Sequence, residues 1–193
     1  SIFLEVKESS FLRNQILWNS YKNWQNGVEN YELILLNNIN GNYQSLIVLD
    51  SSTFYYDHDF STLISSPFNG RMCYKIVANE TMNDFGISGE SISNLQCIDH
   101  DPLIFIPNAL NVNGINNQWK PSIRMIDFSD FKVSIFARNG TLIYQLTNND
   151  DFWDGTILSS GKLAPLGVYV YSMEFRNSKG EFFKRNGNIT LIK

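Results

Sequence analysis

A chain of 193 residues, 43% hydrophobic and 14% aromatic, has room for one large or two small domains with real cores, which excludes a disordered tail. Its formal net charge of -4 is unevenly spread, with 5 Lys+Arg against 12 Asp+Glu in residues 1–101 and 10 against 7 in residues 102–193, so two modules of opposite sign are expected. The basic half is too weakly basic, and its cations too scattered, for nucleic-acid binding, and apolar runs such as Leu33–Leu36 fall far short of the roughly 20 residues that cross a bilayer as a helix.

Short segments rich in Val, Ile, Tyr and Phe alternate with clusters of Gly, Asn, Asp and Ser, the pattern of an all-β sandwich or barrel. In a first module, residues 1–101, strands are expected near Phe3–Lys7, Gln15–Trp18, Val28–Leu36, Tyr43–Val48, Thr53–Tyr56, Arg71–Ala78 and Ser91–Cys97. In a second, residues 102–193, they are expected near Leu103–Ile106, Ser122–Ile126, Phe131–Ala137, Leu142–Leu146, Gly167–Arg176 and Glu181–Leu191, the last broken at Asn186-Gly187. Helical periodicity is absent. The fold class that follows is all-β, two immunoglobulin-like β-sandwich domains in tandem.

Asn gathers where the chain should turn. Asn37-Asn38-Ile39-Asn40-Gly41, Asn139-Gly140 and Asn186-Gly187 supply residues that tolerate positive φ, and Asn139-Gly140, between two alternating runs, is the clearest hairpin. Lys184-Arg185 is read as charge on an exposed strand edge.

Two cysteines, Cys73 and Cys97, suit a single staple. Alternation through Arg71–Ala78 puts Cys73 opposite Met72, Tyr74 and Ile76 and so away from the core, and an antiparallel neighbour ending at Cys97 would bring the thiols together. A cross-strand disulfide is expected, which presupposes an oxidising setting; the alternative is two free thiols.

Catalytic chemistry finds no residues. His58 and His100 are flanked as Asp57-His58-Asp59 and Asp99-His100-Asp101, and in an extended segment the two Asp face away from the His, so neither triplet alone makes a metal site. They read as solvated turns, with a site shared between the triplets as the alternative. No nucleophile–His–acid order, Gly-rich phosphate loop or zinc-ligand spacing is present. We therefore expect no enzyme activity, no cofactor and no small-molecule substrate. Trp24, Trp119 and Trp153 lie in turn-like stretches where aromatics can stack on sugars, yet core or interdomain packing is the reading we take for Trp24 and Trp119, with Trp153 over the edge of its own sandwich.

The second module carries a run of motifs in order: Ile106-Pro107-Asn108-Ala109, Ile135-Phe136-Ala137-Arg138-Asn139-Gly140, Trp153-Asp154-Gly155-Thr156, Pro165-Leu166-Gly167-Val168-Tyr169-Val170-Tyr171 and Gly187-Asn188-Ile189-Thr190-Leu191-Ile192-Lys193. Together these resemble the gliding-motility-associated C-terminal domain of Bacteroidota, the type B sorting domain of the type IX secretion system. The resemblance implies Pro107, Asn108, Arg138, Gly140, Trp153, Asp154, Gly155, Pro165, Gly167, Tyr169, Gly187, Thr190 and Leu191 as fold-setting or partner-recognition positions, Gly140, Gly155 and Gly187 being fold-setters. It also implies an outer-membrane barrel of the PorP/SprF kind and other type IX translocon components as partners, export across the outer membrane, and a cell-surface or extracellular destination. The chain would then be the C-terminal part of a longer protein, any signal peptide lying upstream or already removed. Two departures stand out. Asn139 occupies the place of the family's Trp, and Asn111–Pro121 is shorter than the family's Asp-rich loop and lacks a carboxylate, so no metal is expected there and its Asn side chains read as Asx-turn acceptors.

The first module is similar to a fibronectin type III domain through Ile16-Leu17-Trp18, Tyr21–Val28, Tyr31-Glu32-Leu33, Thr53–Asp57, Cys73–Ala78 and Ser93–Cys97. That likeness implies Trp18 as the core Trp of the second strand, with Met72 where the family commonly has its corner Tyr. The other readings are a carbohydrate-binding or adhesive module, which needs clustered exposed aromatics, and a structural spacer.

Overall fold

The computed structural model describes residues 1–36, 41–65 and 68–193; the expected turn at Asn37–Asn40 lies outside the described residues. In chain order the strands are β1 (Leu4–Ser10), β2 (Arg13–Trp18), β3 (Val28–Leu36), β4 (Tyr43–Asp50), β5 (Tyr55–Asp59), β6 (Arg71–Glu80), β7 (Glu90–Ile92), β8 (Gln96–Asp99), β9 (Leu103–Phe105), β10 (Ala109–Asn111), β11 (Ser122–Arg124), β12 (Asp127–Phe136), β13 (Leu142–Leu146), β14 (Gly167–Arg176) and β15 (Phe182–Ile192). A 3-10 turn spans Leu63–Ser65. The chain is all-β, and its contacts gather into two units, Ser1–Asp99 and His100–Lys193, each an immunoglobulin-like sandwich.

In the second unit a five-stranded sheet, β10-β15-β14-β12-β13, is covered by the β9-β11 pair. Alternation decides what lies between: Val133 and Ile135 from β12, Tyr169, Tyr171, Met173 and Phe175 from β14, and Ile189 and Leu191 from β15 point inward with Leu110 and Ile123. Three details depart from the sequence reading. The expected strand through Ile126 stops at Arg124, because Met125 takes φ +60° and turns the chain while its side chain stays buried. The three-residue β10 pairs in parallel with the end of β15 (Ala109↔Thr190, Leu110↔Leu191, Asn111↔Ile192). The break expected at Asn186-Gly187 is absent: β15 runs through it in unbroken register with β14, Tyr171 opposite Gly187.

In the first unit β1-β2-β5 forms one sheet and β4-β3-β6-β7 the other, with β8 also on β6. Side chains of the two sheets meet face to face: Trp18 of β2 lies 5.9 Å from Tyr31 of β3 between ring centroids, beside the fully buried Ile16, Leu33, Phe60 and Ile76. The expected strand Ser91–Cys97 is split into β7 and β8. At the split, the Asn94 side chain acts as a piece of backbone, its Oδ1 accepting the Leu4 N–H at 2.8 Å and its Nδ2 donating to the Leu4 carbonyl at 3.1 Å, which ties β1 to the opposite sheet.

Cys73 and Cys97 are direct cross-strand partners and are joined by a disulfide. Closing a loop whose ends are 24 residues apart is worth on the order of 3 kcal/mol in the chain-entropy description. Cys73 lies on the face of β6 opposite Met72, Tyr74 and Ile76 yet is buried there rather than exposed, as is Val77 on the same side.

The reading of both His-centred triplets as solvated turns is also corrected: His100 is buried, and so is His58. It is a core residue, not part of a solvated turn, because Tyr56, His58 and Phe60 share one face of β5 and its extension while Asp57 and Asp59 face outward. Its Nδ1 lies 2.8 Å from the Tyr74 hydroxyl, which also receives the Asn14 side-chain N–H at 3.1 Å. Burial holds the Tyr74 phenol well above its ordinary range and pushes the His58 imidazole below its own, the neighbouring Asp59 opposing the latter only in part. A neutral ring can accept the Tyr74 proton; a charged one cannot, and its charge sits in apolar surroundings.

The folded state therefore prefers neutral His58, and the stability this contributes is complete above the ordinary imidazole value of 6.5 and is lost as pH falls below it toward the lower folded value. Thermal melts between pH 7.5 and 5.5 are expected to show a falling midpoint for the first unit. In His58→Gln that fall disappears although the starting midpoint is lower; an unchanged fall would place the titrating group elsewhere.

Candidate functional site

Trp119 and Trp153 organise the motif residues of the second unit. They form an isolated two-residue bridge, the Trp119 N–H donating to the Trp153 carbonyl at 2.7 Å and the Trp153 N–H to the Trp119 carbonyl at 2.8 Å. Both indoles are fully buried, and each finds an acceptor for its polar edge: Trp119 Nε1 donates to the Pro107 carbonyl at 2.7 Å and Trp153 Nε1 to the Thr156 carbonyl at 2.8 Å. Two tyrosines of β14, two residues apart and so on one face, pack against them, Tyr171 on Trp119 at 5.7 Å and Tyr169 on Trp153 at 5.2 Å between centroids. The Tyr169 hydroxyl closes the ring of contacts by donating to the Pro165 carbonyl at 2.5 Å.

The turns that deliver these side chains are built from short polar residues. Asp154 Oδ1 accepts the Thr156 N–H at 3.0 Å and its hydroxyl at 2.6 Å. Asp151 accepts the Thr147 and Asn148 N–H groups at 2.7 and 3.1 Å, and these donors hold its carboxyl below the usual range. Asn111 Oδ1 accepts the Asn113 N–H at 3.0 Å, an Asx turn in the shortened loop. Trp153 is thus a core residue, deeper than the edge position expected for it, and with Trp18 and Trp119 also buried and Trp24 half-buried against Tyr21, no tryptophan stands out as an open platform.

Two glycines are dictated by neighbours. A Cβ on Gly187 would collide with the Tyr171 hydroxyl oxygen and the ring carbons Cζ and Cε1, so Gly187 is a seat for that ring and not a turn. A Cβ on Gly155, at φ +90°, would come within 2.8 Å of Val112 and 3.1 Å of Leu191. Gly140 differs: φ is +85° with open space around it, in a hairpin where Asn139 Oδ1 accepts the Thr141 N–H at 3.1 Å. The Asn108 carbonyl accepts the Thr190 N–H at 2.9 Å, fastening β10 to β15, and Leu191 is buried. Gly167, at φ +147°, opens β14.

Arg138 alone among these positions has no such task. It is exposed at the β12–β13 turn, without a hydrogen bond or ion pair among the described residues. It borders a groove of about 550 Å³ that runs between this turn and Pro165–Tyr169. Lys184, expected to be a solvated edge charge, instead bridges to Glu174 at 2.9 Å, with Lys132 on the same carboxylate at 3.2 Å; both lysines hold the Glu174 carboxyl below its usual range. Among the described residues no three His, Cys, Asp or Glu come together as metal ligands. Tyr171, though inside the quoted motif run, and Trp119 carry the arrangement without having been named among the fold-setting or partner-recognition positions. The spacing Tyr169-x-Tyr171, which puts both rings on one face of a strand, is the signal that could have found the first.

Residues 104–191 match the family described as the CHU_C type IX secretion signal domain. Among curated proteins none matches the chain. Similar solved structures include a two-domain fibronectin type III segment of chicken tenascin, 11% identical over 97% of this chain and 97% of that one, with a TM-score of 0.44. A tetra-tandem repeat from the extending region of a large adhesion protein is 13% identical over 98% of this chain and 48% of that one, with a TM-score of 0.44. Pectate lyase PelI from Erwinia chrysanthemi is 13% identical over 50% of this chain, with a TM-score of 0.36, and the chain spans only 26% of that enzyme's length.

Gly187→Ala must displace a tyrosine packed in the core and is expected to cost about 1–3 kcal/mol, the range for overpacking. Gly140→Asn meets nothing and keeps a residue that accepts positive φ, so its expected cost is under about 1 kcal/mol. Denaturant titration followed by tryptophan fluorescence separates the two; equal costs would remove the assigned role of Gly187.

Proposed function

We propose that this chain, whose second unit carries the type IX secretion signal domain, directs a longer protein out of the cell by presenting that unit, already folded, to the secretion machinery. Family membership of residues 104–191 is the observation that carries the reading. It makes the chain part of a protein sorted by the type IX system and favours a non-enzymatic module. The finer steps are our inference: passage across the outer membrane, dependence on a barrel of the PorP/SprF kind, and retention at the cell surface or release outside. Residues 1–99, a sandwich of the fibronectin type III kind stapled by Cys73–Cys97, serve as a spacer suited to an oxidising compartment.

Recognition in this reading is protein–protein contact with a folded surface. The motif residues are scattered from Pro107 to Leu191, and folding brings several of them together around the Trp119–Trp153 core. Truncating a fully buried Trp to Ala typically costs about 3–5 kcal/mol, enough to remove much of a small domain's stability.

A fluorescent passenger with its own signal peptide, fused ahead of residues 1–193 and expressed in a type-IX-competent host, is expected to reach the surface or medium. The same passenger carrying residues 1–101 alone is expected to stay in the periplasm, as is the full fusion in a host lacking the barrel. Trp153→Ala is expected to reduce export in step with the loss of folded protein. Equal export with and without the second unit would sink the reading.

A further inference from the structure

We infer that the groove beside Arg138 is a strand-addition site for an extended, acidic segment of the export partner. The observation that opens it is a mismatch in strand lengths. β12 last pairs with β14 at Phe136↔Val170 and then turns away through Ala137-Arg138, whereas β14 runs on to Gly167. Over Gly167, Val168 and Tyr169 the strand has β15 on one side (Leu191, Thr190 and Ile189) and, among the described residues, no strand on the other. The groove occupies that open flank, with the β12–β13 turn as its far wall.

The chemistry of the walls selects the occupant. An open stretch of sheet edge calls for an extended main chain, since backbone N–H and C=O groups there are matched by another strand. Leu166, 55% exposed, and the half-buried Val168 offer apolar contact to alternate side chains. Among the described residues Arg138 is the one charged residue lining the groove and has no ion pair or hydrogen bond of its own, so a carboxylate on the incoming strand would be bound bidentately without first breaking an existing pair. The gap is three residues long, which suits a short, reversible contact. The identity of the partner rests on the export reading; the site itself does not.

The test is a titration of the full 193-residue chain, labelled for amide NMR, with the acetylated and amidated peptide VEVDV. Its lysine counterpart VKVKV and the proline-interrupted VEPDV serve as controls. Saturable shifts confined to Ala137–Thr141 and Gly167–Val170 are expected, with dissociation in the millimolar range. At least tenfold weaker binding is expected for Arg138→Glu and for VKVKV, and none for VEPDV. Arg138 is exposed, so Arg138→Glu and Arg138→Gln keep the wild-type melting midpoint and report on binding rather than folding. Failure to saturate, shifts centred elsewhere, or equal binding by VKVKV, VEPDV or Arg138→Glu would overturn the site. The titration needs no translocon, so failure of the unaltered fusion to be exported would remove the export reading and leave the groove standing. Export of Arg138→Glu at the wild-type level would overturn the groove's part in export.

Discussion

The second unit depends on finding acceptors for two buried indole N–H groups. A tryptophan buries a large apolar area, but its donor must be paired when the ring is taken out of water. Here Trp119 reaches the Pro107 carbonyl and Trp153 the Thr156 carbonyl, while their own main chains pair with each other. Those four bonds fix where the segment before β10, the shortened loop and the segment after β13 must lie. The tyrosines of β14 then have one place to pack, and Gly187 is required because Tyr171 fills the space a side chain would take.

Much of this was legible because strand alternation and turn chemistry are local. Val28–Leu36, Leu142–Leu146 and Gly167–Arg176 were read with the boundaries they have, and Asn139-Gly140 turns where its residue types allow positive φ. What escaped was non-local. Asn186-Gly187 looks like a turn in one dimension, yet glycine has two uses, left-handed backbone and close approach, and only the position of Tyr171 says which applies. The three residues of β10 are too few to show a period, and their parallel partner is some eighty residues away in the chain. His58 was masked by its acidic neighbours, although the same period-2 rule that exposes Asp57 and Asp59 places His58 in line with Tyr56 and Phe60.

The two units solve the buried-polar problem in different ways. The second uses neutral donors aimed at main-chain carbonyls, a network with no group that titrates near neutral pH. The first closes its core around Asn14, His58 and Tyr74, where satisfaction depends on the imidazole staying neutral. One sandwich is therefore coupled to proton activity through its core, whereas the ion pairs of the other lie at the surface, as in the Lys132–Glu174–Lys184 ladder across β12, β14 and β15, where exposure and salt keep each pair's contribution small.

A motif read as a linear string would have no reason to spend so many of its residues on contacts within the fold. Pro107, Trp153, Asp154, Gly155, Tyr169 and Gly187 are spent on holding the fold, and what they leave on the surface is a shape: a turn set by Asn139-Gly140, an open stretch of β14 and one unpaired guanidinium between them. A reader of that shape can engage it only after β12, β13 and β14 have come together, since the groove has one wall from each side of the β12–β14 pairing. Under the export reading, recognition and folding are then a single test, and the scattering of the motif along some eighty residues is what makes the test stringent.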